Sequence, residues 1–271
     1  MSNTRQTHTA NFSPSNRAWS AQHCSNWKPH TIGGPARVLI LSDIHIPYAD
    51  PEAIKTLFRF CRTQRFSHVL LNGDVADFYG ISRWETNPLL RDFPGEVSAV
   101  RNFFRFVRRT FPKSRIIYKL GNHEERYETF LRKQAPEFCG LSTFDFETLL
   151  QLDALQVDCV RNRPIRLGRL LNVVHGHEYR FAISNPVNPA RGLFLRAKAH
   201  VLGGHFHQTS QHAERTIDDK VIAAWSVGCL CDLHPEYRPL NNWNHGFAIV
   251  EVTRSGGFQV FNYTIKDGKV L

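Results

Sequence analysis

The stretch Arg37-Val38-Leu39-Ile40-Leu41-Ser42-Asp43-Ile44-His45 decides how this chain is read. Its four consecutive apolar residues form the short continuous run of a strand buried on both faces, and a carboxylate and an imidazole follow at once. The construction recurs twice. His68-Val69-Leu70-Leu71 leads into Gly73-Asp74-Val75-Ala76-Asp77, and Arg115-Ile116-Ile117-Tyr118 leads into Gly121-Asn122-His123-Glu124. Helical patterns separate these strands. Asp50 stands as an N-cap with Pro51 at the first helical position, and Ile54, Leu57 and Phe58 mark one face. Over 94–110, Val100, Phe103, Phe104 and Val107 repeat at i, i+3, i+4 and i+7, and a third helix is predicted over 124–134.

This alternation predicts an α/β core with parallel neighbouring strands. The second half is strand-like over 170–174, 199–202, 220–226, 247–252 and 258–265, with fewer helices between. The fold expected is therefore two packed mixed β-sheets flanked by helices. Residues 1–35 contain no Asp or Glu, carry Arg5, Arg17 and Lys28, and end at Gly33-Gly34-Pro35. They read as a polar, basic leader, flexible or loosely docked, with residues 36–271 as the folded domain. Trp19 and Trp27 in that leader argue for contact with the body.

The net charge is +10, and 25 of the 34 basic residues are arginine, which suits bidentate recognition of phosphate or carboxylate. No apolar run is long enough to cross a membrane, and the polar N-terminus lacks a signal-peptide core, so a cytoplasmic protein is expected. The six cysteines include no C-x-x-C pair, which leaves a zinc ribbon without ligands, and they read as buried free thiols. Arg101, Arg105 and Arg108 read as a solvated helix face.

Five short motifs stand where strands end: Asp43-Ile44-His45, Gly73-Asp74, Gly121-Asn122-His123-Glu124, His175-Gly176-His177 and Gly204-His205-Phe206-His207. In α/β sheets, ligands bind outside the carboxyl ends of strands. Carboxylates, imidazoles and an amide without a thiolate make an oxygen and nitrogen donor set suited to Mn²⁺, Fe, Zn²⁺ or Ni²⁺. On a strand, residues i and i+2 share a face, which would bring Asp43 to His45 and His205 to His207. Seven donors suffice for two metals if one carboxylate bridges. The bland alternative is a set of ordinary turn and core residues. Glu124 reads as a first-turn residue complementing the helix dipole.

With these motifs in order, D-x-H, G-D, G-N-H-E, H and G-H-x-H, the sequence resembles the calcineurin-like metallophosphoesterase superfamily, in its phage and bacterial form. The likeness covers residues 37 to about 210. It implies that Asp43, His45 and His207 hold one divalent metal, that Asn122, His175 and His205 hold a second, and that Asp74 bridges. It implies His123 as the catalytic histidine and Asp77 as its partner. One position departs: where the protein-phosphatase branch carries a phosphate-binding arginine after that Asp, this chain has Phe78, which speaks against a protein phosphatase.

The function expected is a phosphoesterase with two divalent metals, Mn²⁺ foremost, acting by in-line attack of a metal-bridging hydroxide. A phosphodiesterase acting on a nucleotide or nucleic acid, including a nuclease, is the first expectation. A phosphomonoesterase or a nucleotide or lipid diphosphatase is the alternative. A non-catalytic metal-binding scaffold contacting nucleic acid or protein is the alternative from another class. Tyr79, Arg83, Arg126 and His177 are candidates for the substrate shell, and the long segment between Asp77 and Gly121 for a lid or rim.

Overall fold

Val38 and Ile40 face one side of their strand and Leu39 and Leu41 the other, and all four are fully buried, so both faces of that strand need cover. The computed structural model, which describes residues 27–179 and 187–271, supplies it with a second sheet on one side and helices on the other. The early strands are β1 (His30–Ile32), β2 (Ala36–Leu41), β3 (His68–Asn72), β4 (Arg115–Lys119), β5 (Val157–Val160), β6 (Ile165–Leu167) and β7 (Leu171–Val173). The later ones are β8 (Val201–Gly203), β9 (Ser210–Arg215), β10 (Val221–Ser226), β11 (His245–Val252), β12 (Phe258–Lys266) and β13 (Lys269–Val270). The helices are α1 (Pro51–Cys61), α2 (Phe93–Thr110), α3 (Glu125–Gln134), α4 (Phe146–Leu150) and α5 (Pro189–Ala197).

One mixed sheet runs β13-β12-β11-β2-β3-β4-β5 and the other β1-β6-β7-β8-β10-β9. Leu39, Leu41, Val69, Leu71, Ile116 and Tyr118 pack beneath α1 and α2. Val38, Ile40, Leu70 and Ile117 meet Leu167, Val173, Leu202 and Trp225 between the sheets. Helix α5 covers the outer face of the second sheet through Ala190 and Leu193. The expected arrangement of two packed sheets flanked by helices is the arrangement found. Asp50 caps α1 by accepting the Ala53 N–H at 2.7 Å, as its place before Pro51 predicts.

Some elements depart from the sequence reading. Strand β1 lies inside the stretch assigned to the leader and pairs in parallel with β6, Thr31 opposite Arg166. Trp27, expected to lie against the body, is 69% exposed, and the rest of the leader reading, residues 1–26 with Trp19, lies outside the described residues. Strands β5, β6 and β9 escape a hydrophobicity reading because they are short or, in β9, largely exposed at a sheet edge. The segment after Asp77 is no lid as a whole, since Phe78, α2 and β4 belong to the core and only residues 79–92 between them form a rim. Arg101 and Arg108 are no solvated row either: Arg101 donates to the Leu149 carbonyl, and Arg108 to those of Leu155, Ser114 and Gln156. Among the described residues the cysteines are free; Cys61, Cys229 and Cys231 are buried, Cys159 is half-buried, and Cys139 is exposed, against the expectation for it. No helix among the described residues is long and apolar enough to cross a membrane.

Candidate metal centre

Parallel pairing fixes where the site lies. With Leu41 opposite Leu71 and Asn72 opposite Lys119, the loops after β2, β3 and β4 leave the first sheet at one edge. Val173 opposite Leu202 does the same for the loops after β7 and β8 in the second sheet. Main-chain bonds then join the loops. The Asp43 N–H donates to the Gly73 carbonyl at 3.1 Å, those of Ile44 and His45 to the Asp74 carbonyl at 2.9 Å, and that of Gly204 to the His175 carbonyl at 2.7 Å.

The pleat of a strand is not what aims the donors. Asp43, His45, Asp74, His205 and His207 all lie beyond their strands with left-handed backbones, at φ 56°, 50°, 52°, 69° and 57°. Non-glycine residues adopt this region at a cost, and such strain gathers at functional sites. Two glycines clear the space around them. A Cβ on Gly73 would stand 2.3 Å from His175 Nδ1, and one on Gly121 would stand 2.3 Å from Asp74 Oδ1.

The two carboxylates are used alike. Asp43 accepts the His205 N–H through Oδ2 at 2.8 Å, and Asp74 accepts the His123 N–H through Oδ1 at 3.0 Å. The second oxygen of each turns to one shared space. Asp43 Oδ1 is 3.3 Å from His207 Nε2 and 3.9 Å from Nε2 of both His45 and His175. Asp74 Oδ2 is 3.2 Å from His175 Nε2 and 3.8 Å from Nε2 of both His45 and His123. His205 groups with Asp74 and His175, their donor atoms all within 4.8 Å of one another. Asp43, Asp74, His45, His175 and His207 are buried, and Asp43 Oδ1, His175 Nε2 and Asn122 Oδ1 are buried with no hydrogen-bond partner. Orphaned donors and acceptors converging in this way fit divalent cations, which would satisfy them together.

The electrostatics follow from this crowding. Burial alone would raise both Asp43 and Asp74, but the facing histidines outweigh it and hold both carboxyls well below the usual range. Burial would lower His175 and His207, yet Asp74 and Asp43 beside the first and Asp43 beside the second push each up to about 10. His205 goes the other way, brought down to about 4 by burial and by the neighbouring His175.

Asp77 touches two imidazoles, with Oδ1 2.9 Å from His45 Nδ1 and 3.0 Å from His123 Nδ1. Arg126 donates to the Asp77 carbonyl at 2.9 Å and reaches His123 Nε2 at 3.0 Å. Phe78 is fully buried among Phe93, Tyr127 and Phe146. The structure thus brings Arg126 to the centre and turns position 78 away from it. His177 lies beside His175 and His205, with Nε2 3.2 Å from Glu125 Oε1. Tyr79 braces the rim, its hydroxyl accepting the Asn87 N–H at 2.7 Å and its ring meeting Tyr48. Arg83 lies farther out, over the Trp84 ring.

Several residues escaped the sequence reading. Glu124 is no dipole ornament. Fully buried, it accepts the N–H groups of Asp74, Val75, Ala76 and Gly121 and the Tyr118 hydroxyl, at 2.6 to 3.2 Å. Its place directly after His123 was the available signal. Lys119, buried at the end of β4, pairs at 2.6 Å with Glu178, which also accepts the N–H groups of His175 and Gly176. Trp243 packs on His207 with ring centroids 4.1 Å apart, and Cys231 Sγ lies 3.7 Å from its Nδ1, the nitrogen turned away from Asp43. Nothing in local sequence marks either residue.

Fold and site together define a two-sheet α/β architecture with a candidate metal centre at the carboxyl ends of strands from both sheets. The chain belongs to the calcineurin-like phosphoesterase family, whose profile matches residues 36–229. It is similar to the gene 54 proteins of Mycobacterium phages L5 and D29, 25% identical to each in a 229-residue alignment that covers 80% of this chain and 89% of either relative. Among solved structures it is similar to vacuolar protein sorting 29 of Cryptosporidium parvum, at 15% identity and a TM-score of 0.47, over 87% of this chain and 94% of that one. It is also similar to Vps29 of Entamoeba histolytica crystallised with zinc, at 15% identity and a TM-score of 0.43, over 87% and 96% of the two chains.

Proposed function

We propose that this chain is a phosphoesterase that works with two divalent metal ions, Mn²⁺ foremost, and cleaves a phosphodiester in a nucleotide or nucleic acid. The observation that carries the reading is the paired use of Asp43 and Asp74: each spends one oxygen on a neighbouring main-chain N–H and turns the other to the same ring of histidines. Asp43, His45 and His207 would hold one ion and Asn122, His175 and His205 the other, with Asp74 between them, since its free oxygen faces both His45 and His175. When bound, such ions supply Lewis-acid polarisation of phosphoryl oxygen and activation of water.

The remaining steps fall to the chain's own side chains. His123 is the proton carrier for the leaving oxygen. Burial disfavours its charged form, but Asp74 and Asp77 outweigh burial and raise it above the usual histidine value. Asp77 holds the Nδ1 proton, and Nε2, which accepts an Arg126 N–H at 3.0 Å, is the nitrogen that exchanges a proton with the leaving oxygen once Arg126 turns to the substrate. Arg126, beside Nε2, offers its guanidinium to a phosphoryl oxygen, the duty that Phe78 cannot perform.

Turnover of bis-p-nitrophenyl phosphate by purified protein with added Mn²⁺ tests the reading. Hydrolysis is expected, and Asp74→Asn should lower metal content and turnover together. No hydrolysis of mono- or diester with Mn²⁺, Fe²⁺, Zn²⁺ or Ni²⁺ would overturn it in favour of a scaffold.

A further inference from the structure

A cleft of about 480 Å³ is lined by Asn122 and Arg126 of the candidate centre together with further residues of α3 and of the rim. Asn122 ties the cleft to the candidate centre. One wall is the face of α3 bearing Arg126, Phe130 and Lys133, spaced i, i+4 and i+7. On that face Phe130 and Lys133 are exposed, while Arg126 is half-buried against Asp77 and His123. Rim residues, Arg83 and Trp84 among them, line it as well. Arg83, Arg91, Arg126 and Lys133 line the cleft against a single carboxylate, Glu125, which His177 already engages at 3.2 Å. Trp84 is 65% exposed, and the Arg83 guanidinium lies 4.8 Å from its ring centroid.

We propose that this cleft seats a single-stranded nucleic acid, with the base next to the phosphodiester at the centre stacked on Trp84. The volume is that of a small-ligand pocket, which the roughly 300–1,000 Å³ range describes. Cations tracking a backbone, interleaved with exposed aromatic faces, are how proteins bind single strands without reading their sequence. A duplex does not fit this chemistry, because its bases are stacked on one another and have no free face to offer an indole. Arg126 then contacts the strand's phosphate at the centre while Lys133 and Arg83 follow the neighbouring backbone. The inference takes from the proposed function only the identity of the bond at the centre; the binding itself needs no metal.

Fluorescence anisotropy of a labelled single-stranded oligothymidylate, titrated with chelator-treated protein, reads binding without hydrolysis. Trp84→Ala should weaken binding roughly 5- to 150-fold, the effect of losing one base–aromatic stack, while Trp84→Phe keeps most of it. Lys133→Ala should reduce the salt dependence by about 0.7 in the slope of log K against log salt. Both positions are at the surface, and melting curves matching wild type will confirm that the variants fold. Equal binding by wild type and Trp84→Ala overturns the proposal. So does binding of a hairpin duplex as tight as that of the single strand, or competition by thymidine monophosphate as strong as that by the oligomer. Strand binding without any phosphoesterase activity would remove the proposed function and leave the cleft assignment standing; turnover of the small diester without strand binding would do the reverse.

Discussion

His123 Nδ1 lies 3.0 Å from the Oδ1 of Asp77 and 2.9 Å from its main-chain oxygen, so one residue addresses that nitrogen twice. Two acceptors at one ring nitrogen keep the proton there and leave Nε2 to face the candidate centre. Asp77 Oδ1 also meets His45 Nδ1, so the same carboxylate orients a histidine proposed for metal binding and one proposed for catalysis.

Replacing Asp77 by Asn should therefore reduce both functions without emptying the site. An outer partner of this kind is worth about 10- to 100-fold in metal affinity or activity. Metal titrations and kcat at saturating Mn²⁺ measure the two separately. His123→Ala should keep the metal and lower kcat by about 10²- to 10⁴-fold. Metal loss in His123→Ala would show that this histidine is a ligand instead.

Glu124 joins the ends of β3 and β4 from a position with no solvent access. Glu124→Ala leaves four main-chain N–H groups and the Tyr118 hydroxyl without their acceptor, each buried unsatisfied group costing about 1–3 kcal/mol. Loss of about 4 kcal/mol or more is expected in urea unfolding of metal-free protein. Glu124→Gln, which keeps one acceptor oxygen, should fall between that variant and wild type.

Metal uptake should depend on pH through the histidines. In the metal-free protein His175 and His207 lie near 10, so both are protonated at neutral pH, and a cation must displace those protons. Affinity should rise with pH between 6 and 8, with release of about two protons per protein. Calorimetry in buffers of different ionisation enthalpy counts them. The same shifts set the stability of metal-free protein. A histidine raised above its unfolded value near 6.5 stabilises fully below that pH, and the contribution fades as pH climbs toward 10.

Glu96 carries the opposite sign. Burial raises it to about 7, although it accepts the Phe78 N–H under the centre. A carboxyl raised in the folded state binds its proton more tightly there than in the unfolded chain. Stability must then fall as pH rises from about 4.5 to 7, and the penalty persists above that window. Glu96→Gln should remove the dependence and stabilise the protein at pH 8 by about 1–3 kcal/mol relative to wild type, read from paired thermal melts at pH 5 and 8.

Which donors the chain owns, and where they sit along it, can be read from the residues alone. A buried parallel strand must be continuously apolar, and the polar residue that ends it must lie at the carboxyl edge, so Asp43, Asp74, Asn122, His175 and His205 were legible one strand at a time. Tertiary structure alone decided how those ends are aimed and supported. The left-handed turns at Asp43, His45, Asp74, His205 and His207 replace the strand geometry that spacing implied, because main-chain bonds between loops distant in sequence hold them. The same holds for Arg126 standing beside His123 while Phe78 goes into the core, and for Trp243 packing on His207. Apolar periodicity records which face of an element is buried. It carries no record of which side chains from separate elements meet, since that is fixed by strand order and register.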